Sequence, residues 1–101
     1  MQYLLMRVFH WDIEKNEKLI RERGISFEEV VLAIESGKVL DLLGHPNLHK
    51  YQNQQMFVVE LKGYAYLVPF VEEKDYIFLK TIIPSRKATR EYLGGSRDEP
   101  N

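Results

Sequence analysis

Apolar residues along this chain recur with two different periods, and the places where the period changes mark the elements. Residues 3–9 (YLLMRVF) form a compact apolar run of strand length. Asp12 then stands where a helix N-cap belongs, ahead of a helix over about 13–23, with Gly24 as its C′ residue. Ser26-Phe27-Glu28-Glu29 reads as a capping box, with Ser26 as N-cap and Glu29 at the third helical position. Ile25 before the cap and Val30 one turn inside it form a hydrophobic staple. Phe27, Val30, Val31 and Ile34 follow the i, i+3, i+4, i+7 rule, so this second helix buries one face. Gly37 ends it.

Beyond Gly37 the period falls to two. Residues 38–43 (KVLDLL) read as a strand, and Gly44-His45-Pro46-Asn47 as a turn. Residues 55–61 alternate, with Phe57, Val59 and Leu61 on one face. The Lys62-Gly63 turn leads into a strand over 64–71, which Pro69 places at a sheet edge or at a bulge. After a turn at 72–75, residues 76–83 form the last strand. Regular alternation there puts Ile77, Leu79 and Ile83 on one face and Tyr76, Phe78, Lys80 and Ile82 on the other. A short helix over about 85–93 stops at Gly94-Gly95, and residues 96–101 read as a flexible tail. The order β-α-α-β-β-β-β-α predicts one α+β domain over residues 1–95. Its antiparallel sheet has four to five strands, packed by two N-terminal helices and a short C-terminal one in two layers.

Composition narrows the function classes. With 101 residues, a formal net charge of -1 and a pI near 6.3, the chain is not a generic nucleic-acid binder, so any such site is a local patch. The absence of cysteine excludes thiolate metal sites, cysteine nucleophiles and disulfides. The start is too short and strand-like for a signal peptide, and no apolar run approaches the ~20 residues of a membrane span. A soluble, cytoplasmic protein is expected. The three histidines, His10, His45 and His49, have no zinc-site spacing, and no cofactor or metal is implied.

Candidate chemistry concentrates in Ile82-Ile83-Pro84-Ser85-Arg86-Lys87-Ala88-Thr89-Arg90. Ser85 is placed to cap the closing helix. Arg86 and Lys87 then occupy its first turn, where the macrodipole disfavours cations by a few tenths of a kcal/mol (roughly). Arg86 and Arg90 are four apart and share a face, with Thr89 between them on the same side. Two guanidinium groups beside backbone N–H groups suit a phosphodiester; a solvated basic surface helix is the alternative. Lys87 and Lys80 add further cations for RNA. His49, with Lys50 and Tyr51, has the composition for proton transfer at a ribose hydroxyl, or is ordinary surface; His10 beside Trp11 reads as structural. Tyr64 and Tyr66 point to one strand face, either as a base-stacking platform or as sheet cover. The acidic residues lie on the helices as solvated faces and i,i+4 partners, such as Glu14-Lys18 and Glu17-Arg21.

The two ends together resemble a known family. Phe9-His10-Trp11-Asp12, Lys15-Asn16 and Gly24-Ile25-Ser26-Phe27-Glu28-Glu29 look like the opening of BrnT-type toxins, with their F-x-W-D-x-x-K pattern. Ile82 to Glu91 is similar to that family's closing strand and helix, I-I-S-A-R-K-A-T-R-x-E. The match spans roughly a third of the chain, with Glu22-Arg23 and Pro84-Ser85 departing from the pattern and residues 38–75 matching poorly. The resemblance implies a RelE-like fold and a type II toxin that cleaves RNA without a metal. It implies a cognate antitoxin from the same operon, commonly a ribbon-helix-helix DNA-binding protein. Trp11, Lys15, Arg86, Lys87 and Arg90 are the positions that would inherit a role. Cleavage of RNA would use the adjacent 2′-hydroxyl, with Arg86 and Arg90 stabilising the transition state and Lys15, His49 and Tyr51 as proton carriers. Non-catalytic alternatives are a gyrase poison, an inert antitoxin partner, or an RNA-binding module built on Tyr64 and Tyr66.

Overall fold

The computed structural model describes residues 8–44 and 54–94. The start of the expected opening strand, most of the turn after Gly44, His49, Tyr51, Gly95 and the tail lie outside the described residues. The order is β1 (Val8–Trp11), α1 (Ile13–Arg23), α2 (Phe27–Glu35), β2 (Val39–Gly44), β3 (Gln54–Leu61), β4 (Tyr64–Glu72), β5 (Tyr76–Leu79), β6 (Ile83–Pro84) and α3 (Arg86–Tyr92). The fold is α+β, as the periodicity predicts.

Local chemistry explains the helix boundaries. Asp12 is the N-cap of α1, but its side chain makes no capping bond; only its carbonyl is used, by Asn16 N–H at 3.0 Å. The Ser26 capping box is complete: its hydroxyl accepts from Glu29 N–H and the Glu29 carboxylate accepts from Ser26 N–H, both at 3.1 Å. Asn16 adds a third cap from outside the helix. Its side-chain oxygen accepts from Phe27 N–H and its amide donates to Glu28, both at 2.8 Å. This buried clasp fixes α1 against the start of α2. At the far end Gly37 has φ +79°, while its N–H bonds Ile34 and Lys38 N–H bonds Ala33, a Schellman closure.

The sheet order is β1-β5-β4-β3-β2, with β6 taking the place beside β4 where β5 ends. Strands β2 to β5 are antiparallel neighbours, and β3 and β4 join through Lys62-Gly63, both at positive φ as a type I′ turn demands. β1 corrects the all-antiparallel expectation: it pairs in parallel with β5, Val8 opposite Tyr76 through Trp11 opposite Leu79. Most of the chain separates these two strands, so no tight turn sets their relative direction. Among the described residues the sheet is therefore mixed and six-stranded.

Strand 76–83 is also not continuous. Phe70 pairs with Leu79, yet Leu67 pairs with Ile83, so three residues on one side oppose two on the other. The bulge lies opposite Pro69, which stands on the central strand β4 and not at an edge. Lys80 N–H donates to the Pro69 carbonyl at 2.8 Å, so the proline nitrogen, with no hydrogen to give, faces the interrupted ladder. The extra residue reverses the facing beyond it. Ile82 is buried (1 % exposed) with Ile77 and Leu79, whereas Ile83 is 42 % exposed, the opposite of what regular alternation predicts.

Two cores result. One face of the sheet, carrying Phe57, Val59, Val68, Phe70, Ile77 and Leu79, packs against Leu19 of α1 and Phe27, Val30, Ala33 and Ile34 of α2. Phe57 and Phe70 stack at its centre, ring centroids 4.2 Å apart. The other face, with Val58, Ala65, Leu40, Leu43 and Leu67, receives Ala88, Tyr92 and Leu93 of the α3 region. The helices thus lie on both faces, three layers where two were expected. No helix among the described residues is long and apolar enough to cross a membrane.

Candidate functional site

Helix α3 is fixed to the sheet at two points. The Ser85 hydroxyl accepts from Ala88 N–H at 3.0 Å, the cap its sequence predicts. Thr89 makes the second attachment. Ser85 N–H pairs with the Ala65 carbonyl, but the Ser85 carbonyl is taken by the helix and cannot return the bond. The Thr89 hydroxyl stands in for it: it donates to the Ser85 carbonyl at 2.8 Å and accepts from buried Ala65 N–H at 2.9 Å. Thr89 therefore faces the sheet with Ala88. It does not lie on the Arg86–Arg90 side as expected, because it belongs to the i, i+3, i+4, i+7 stripe of Ser85, Ala88 and Tyr92.

That stripe leaves Arg86, Lys87 and Arg90 exposed and facing outward together. None of them is ion-paired among the described residues; the surface pair there is Lys62–Glu29, at 3.7 Å. Lys87 also borders a hollow at the foot of α3, floored by Leu43, Val58 and Leu67.

The remaining candidates are spread over both faces. Lys15 is half-buried on α1, across the sheet from α3, in a depression that also contains Lys18, Glu22, Arg23 and Thr81–Ile83. Lys80 is exposed at the bulge, one residue before Thr81. Trp11 is half-buried and stacked on Phe27, centroids 5.7 Å apart. It borders a hollow shared with Glu17, Glu28, Ile13 and Ile20, away from the cations. Tyr64 and Tyr66 share a face as predicted, in an edge-to-face pair with centroids 5.7 Å apart. That face is the one carrying α1 and α2, and Tyr66 packs against its core. His10 lies against Tyr76, centroids 4.6 Å apart. Among the described residues no three histidine, aspartate or glutamate side chains are grouped to hold a metal.

The sequence reading missed one polar contact beside α3. The Tyr92 hydroxyl donates to the Asp41 carboxylate, which also accepts from Leu42 N–H at 2.8 Å. The Tyr92 hydrogen bond, then the Leu42 N–H, holds the Asp41 carboxyl below its ordinary value. The same bond to Asp41 pushes the Tyr92 phenol up. A bulge at Leu40 makes the contact possible, because consecutive Leu40 and Asp41 both reach the α3 side. The available signal was an acid inside the apolar run Val39–Leu43.

No family model matches the chain, and no curated protein matches it significantly.

Proposed function

We propose that this chain is a BrnT-type, RelE-like toxin of a type II toxin–antitoxin system, a cytoplasmic endoribonuclease that inhibits translation. The observation that carries the reading is the set of three outward cations, Arg86, Lys87 and Arg90, without an ion-pair partner among the described residues, on a helix pinned to the sheet by Ser85 and Thr89. The pinned helix fixes the backbone positions from which the three cations reach a phosphate, and positive charge there opposes the negative charge that develops in the transition state. The motif resemblance at both ends of the chain supplies the reaction class.

In this reading a ribose 2′-hydroxyl attacks the adjacent phosphorus in line, the 5′-oxygen leaves, and a cyclic phosphate forms. Arg86 and Arg90 neutralise the charge that builds on the equatorial oxygens. His49 and Tyr51 are the proton carriers; Lys15, across the sheet from α3, is not placed to join them. A ribbon-helix-helix antitoxin from the same operon neutralises the toxin.

The test is induced expression in bacteria with RNA analysis. Wild type arrests growth with rapid mRNA loss, while Arg86→Ala and Arg90→Ala each abolish the arrest and remain folded. Undiminished arrest by both variants overturns the site assignment. A second reading, a binding protein without catalysis, is favoured by the position of Lys15 on the opposite sheet face from Arg86 and Arg90. Growth arrest with intact RNA and DNA-damage signalling would identify a gyrase poison, and normal growth an inert antitoxin partner.

A further inference from the structure

The two flanks of α1 carry different charge. On one, Ile13, Asn16, Glu17 and Ile20 border the hollow beside Trp11 and Glu28. On the other, Lys15, Lys18 and Arg23 border the depression against Thr81, Ile82 and Ile83. Among the described residues Glu22 is the one acid beside these three cations, so the depression is locally positive on a chain whose net charge is -1. None of the three cations is ion-paired among the described residues. Helix-dipole compensation accounts for Arg23 in the last turn of α1, but not for Lys15 and Lys18 further back.

Two tyrosines lie on β4, the strand that pairs with β6. Ile83, which lines the depression, pairs with Leu67, and Pro84 with Tyr66. Tyr66 packs against the core that contains Ile82, on the α1/α2 side of the sheet, and Tyr64 shares its strand face. Among the described residues β6 has β4 as its strand partner and forms the sheet margin there. One residue beyond it, α3 begins with Arg86 on the opposite side. Cations with no ion-pair partner among the described residues, and half-buried tyrosines on the strand next to β6, are the components of a single-strand site: phosphates meet the cations and bases stack on rings.

We propose that this depression is a second subsite for single-stranded RNA, in which Lys15, Lys18 and Arg23 hold backbone phosphates and Tyr64 and Tyr66 meet bases. The strand crosses the β6 margin between this subsite and Arg86. This rests on the endoribonuclease reading and extends it: substrate length matters, because the strand engages both faces of the sheet.

The probe is a fluorescein-labelled, fully 2′-O-methylated single-stranded RNA, which lacks the nucleophile and stays intact. Affinity is measured against salt for wild type, Lys18→Gln/Arg23→Gln and Glu22→Gln; all three positions are exposed. Each phosphate contact contributes about 0.7 to the slope of log affinity against log salt, so the double variant should lower the slope by about 1.4. At about 0.1 M salt that is roughly a 25-fold loss of affinity. Glu22→Gln should bind more tightly than wild type. If wild type binds and the double variant keeps its affinity and slope, the subsite is refuted and the nuclease reading stands. A loss of affinity with unchanged slope also refutes it, since no phosphate contact was removed. If wild type does not bind the RNA, both readings fall.

Discussion

Replacing Thr89 by valine removes one hydroxyl and almost no volume, and the structure assigns that hydroxyl two bonds. The donor bond to the Ser85 carbonyl is dispensable, because Thr89 N–H already reaches the same oxygen at 3.0 Å. The acceptor bond is not, because Ala65 N–H lies in a fully buried residue of β4 and no other acceptor takes its place. A buried donor left without a partner costs about 1–3 kcal/mol. For a domain of this size each kcal/mol lowers Tm by about 4–8 °C, so Thr89→Val should lose about 4–24 °C. Thr89→Ser keeps the hydroxyl and gives up one methyl group, at about 0.8 kcal/mol. Urea titration followed by far-UV circular dichroism gives both differences, with an unchanged m value for the comparison to hold. If Thr89→Val comes within about 0.5 kcal/mol of wild type, or Thr89→Ser proves the weaker of the two, the hydroxyl is not what joins α3 to the sheet.

Asn16→Ala withdraws the acceptor from buried Phe27 N–H and the donor from Glu28. It should cost about 1–3 kcal/mol in the same titration, while Glu28→Gln, which keeps an acceptor for Asn16, costs little; equal losses would contradict the clasp. The Tyr92–Asp41 bond makes stability depend on pH at both extremes. The Asp41 carboxyl is held below its ordinary 3.8, so its contribution is present above that pH and lost as pH falls through the lowered value. The Tyr92 phenol is raised above 10.0, so its contribution is present below that pH and lost as pH rises through the raised value. The stability difference between wild type and Tyr92→Phe should therefore be greatest across the intervening range and shrink in both acid and alkali. The Asp41 carboxyl, followed by NMR, should titrate closer to 3.8 in the variant.

The features read correctly from sequence are those whose causes lie within a few residues. The α2 capping box, the Gly24 and Gly37 stops and the Ser85 cap each depend on side chains within one turn of the backbone groups they satisfy. The ends of β3 and β4 were also legible, because turn residues and alternation bracket them, whereas β1 runs past its expected end and the last strand breaks at Leu79. What escaped depends on a distant neighbour. Ile82 and Ile83 exchange faces because of Pro69 on another strand. Thr89 turns inward because the Ala65 N–H lacks a carbonyl partner, and Asp41 meets Tyr92 across about half the chain. β1 joins β5 in parallel through a crossing that no turn motif announces. The basic face of α3 was legible, since helical spacing alone separates Arg86 and Arg90 from Ala88. The charge division of α1 was not, because it needs to be known what packs on either side of that helix.

The bulge opposite Pro69 acts as a parity switch for everything downstream. Beyond it, Ser85 aligns with Ala65, whose side chain lies on the face that α3 covers. Had the ladder continued in its original phase, Ser85 would have aligned with Tyr64, and the chain would have emerged on the side already occupied by α1 and α2. One surplus residue thus decides on which side of the molecule the arginines are displayed. Length in the 80–82 segment is consequently more constrained than residue type: an insertion or deletion there redirects α3, whereas a substitution alters only its own surroundings.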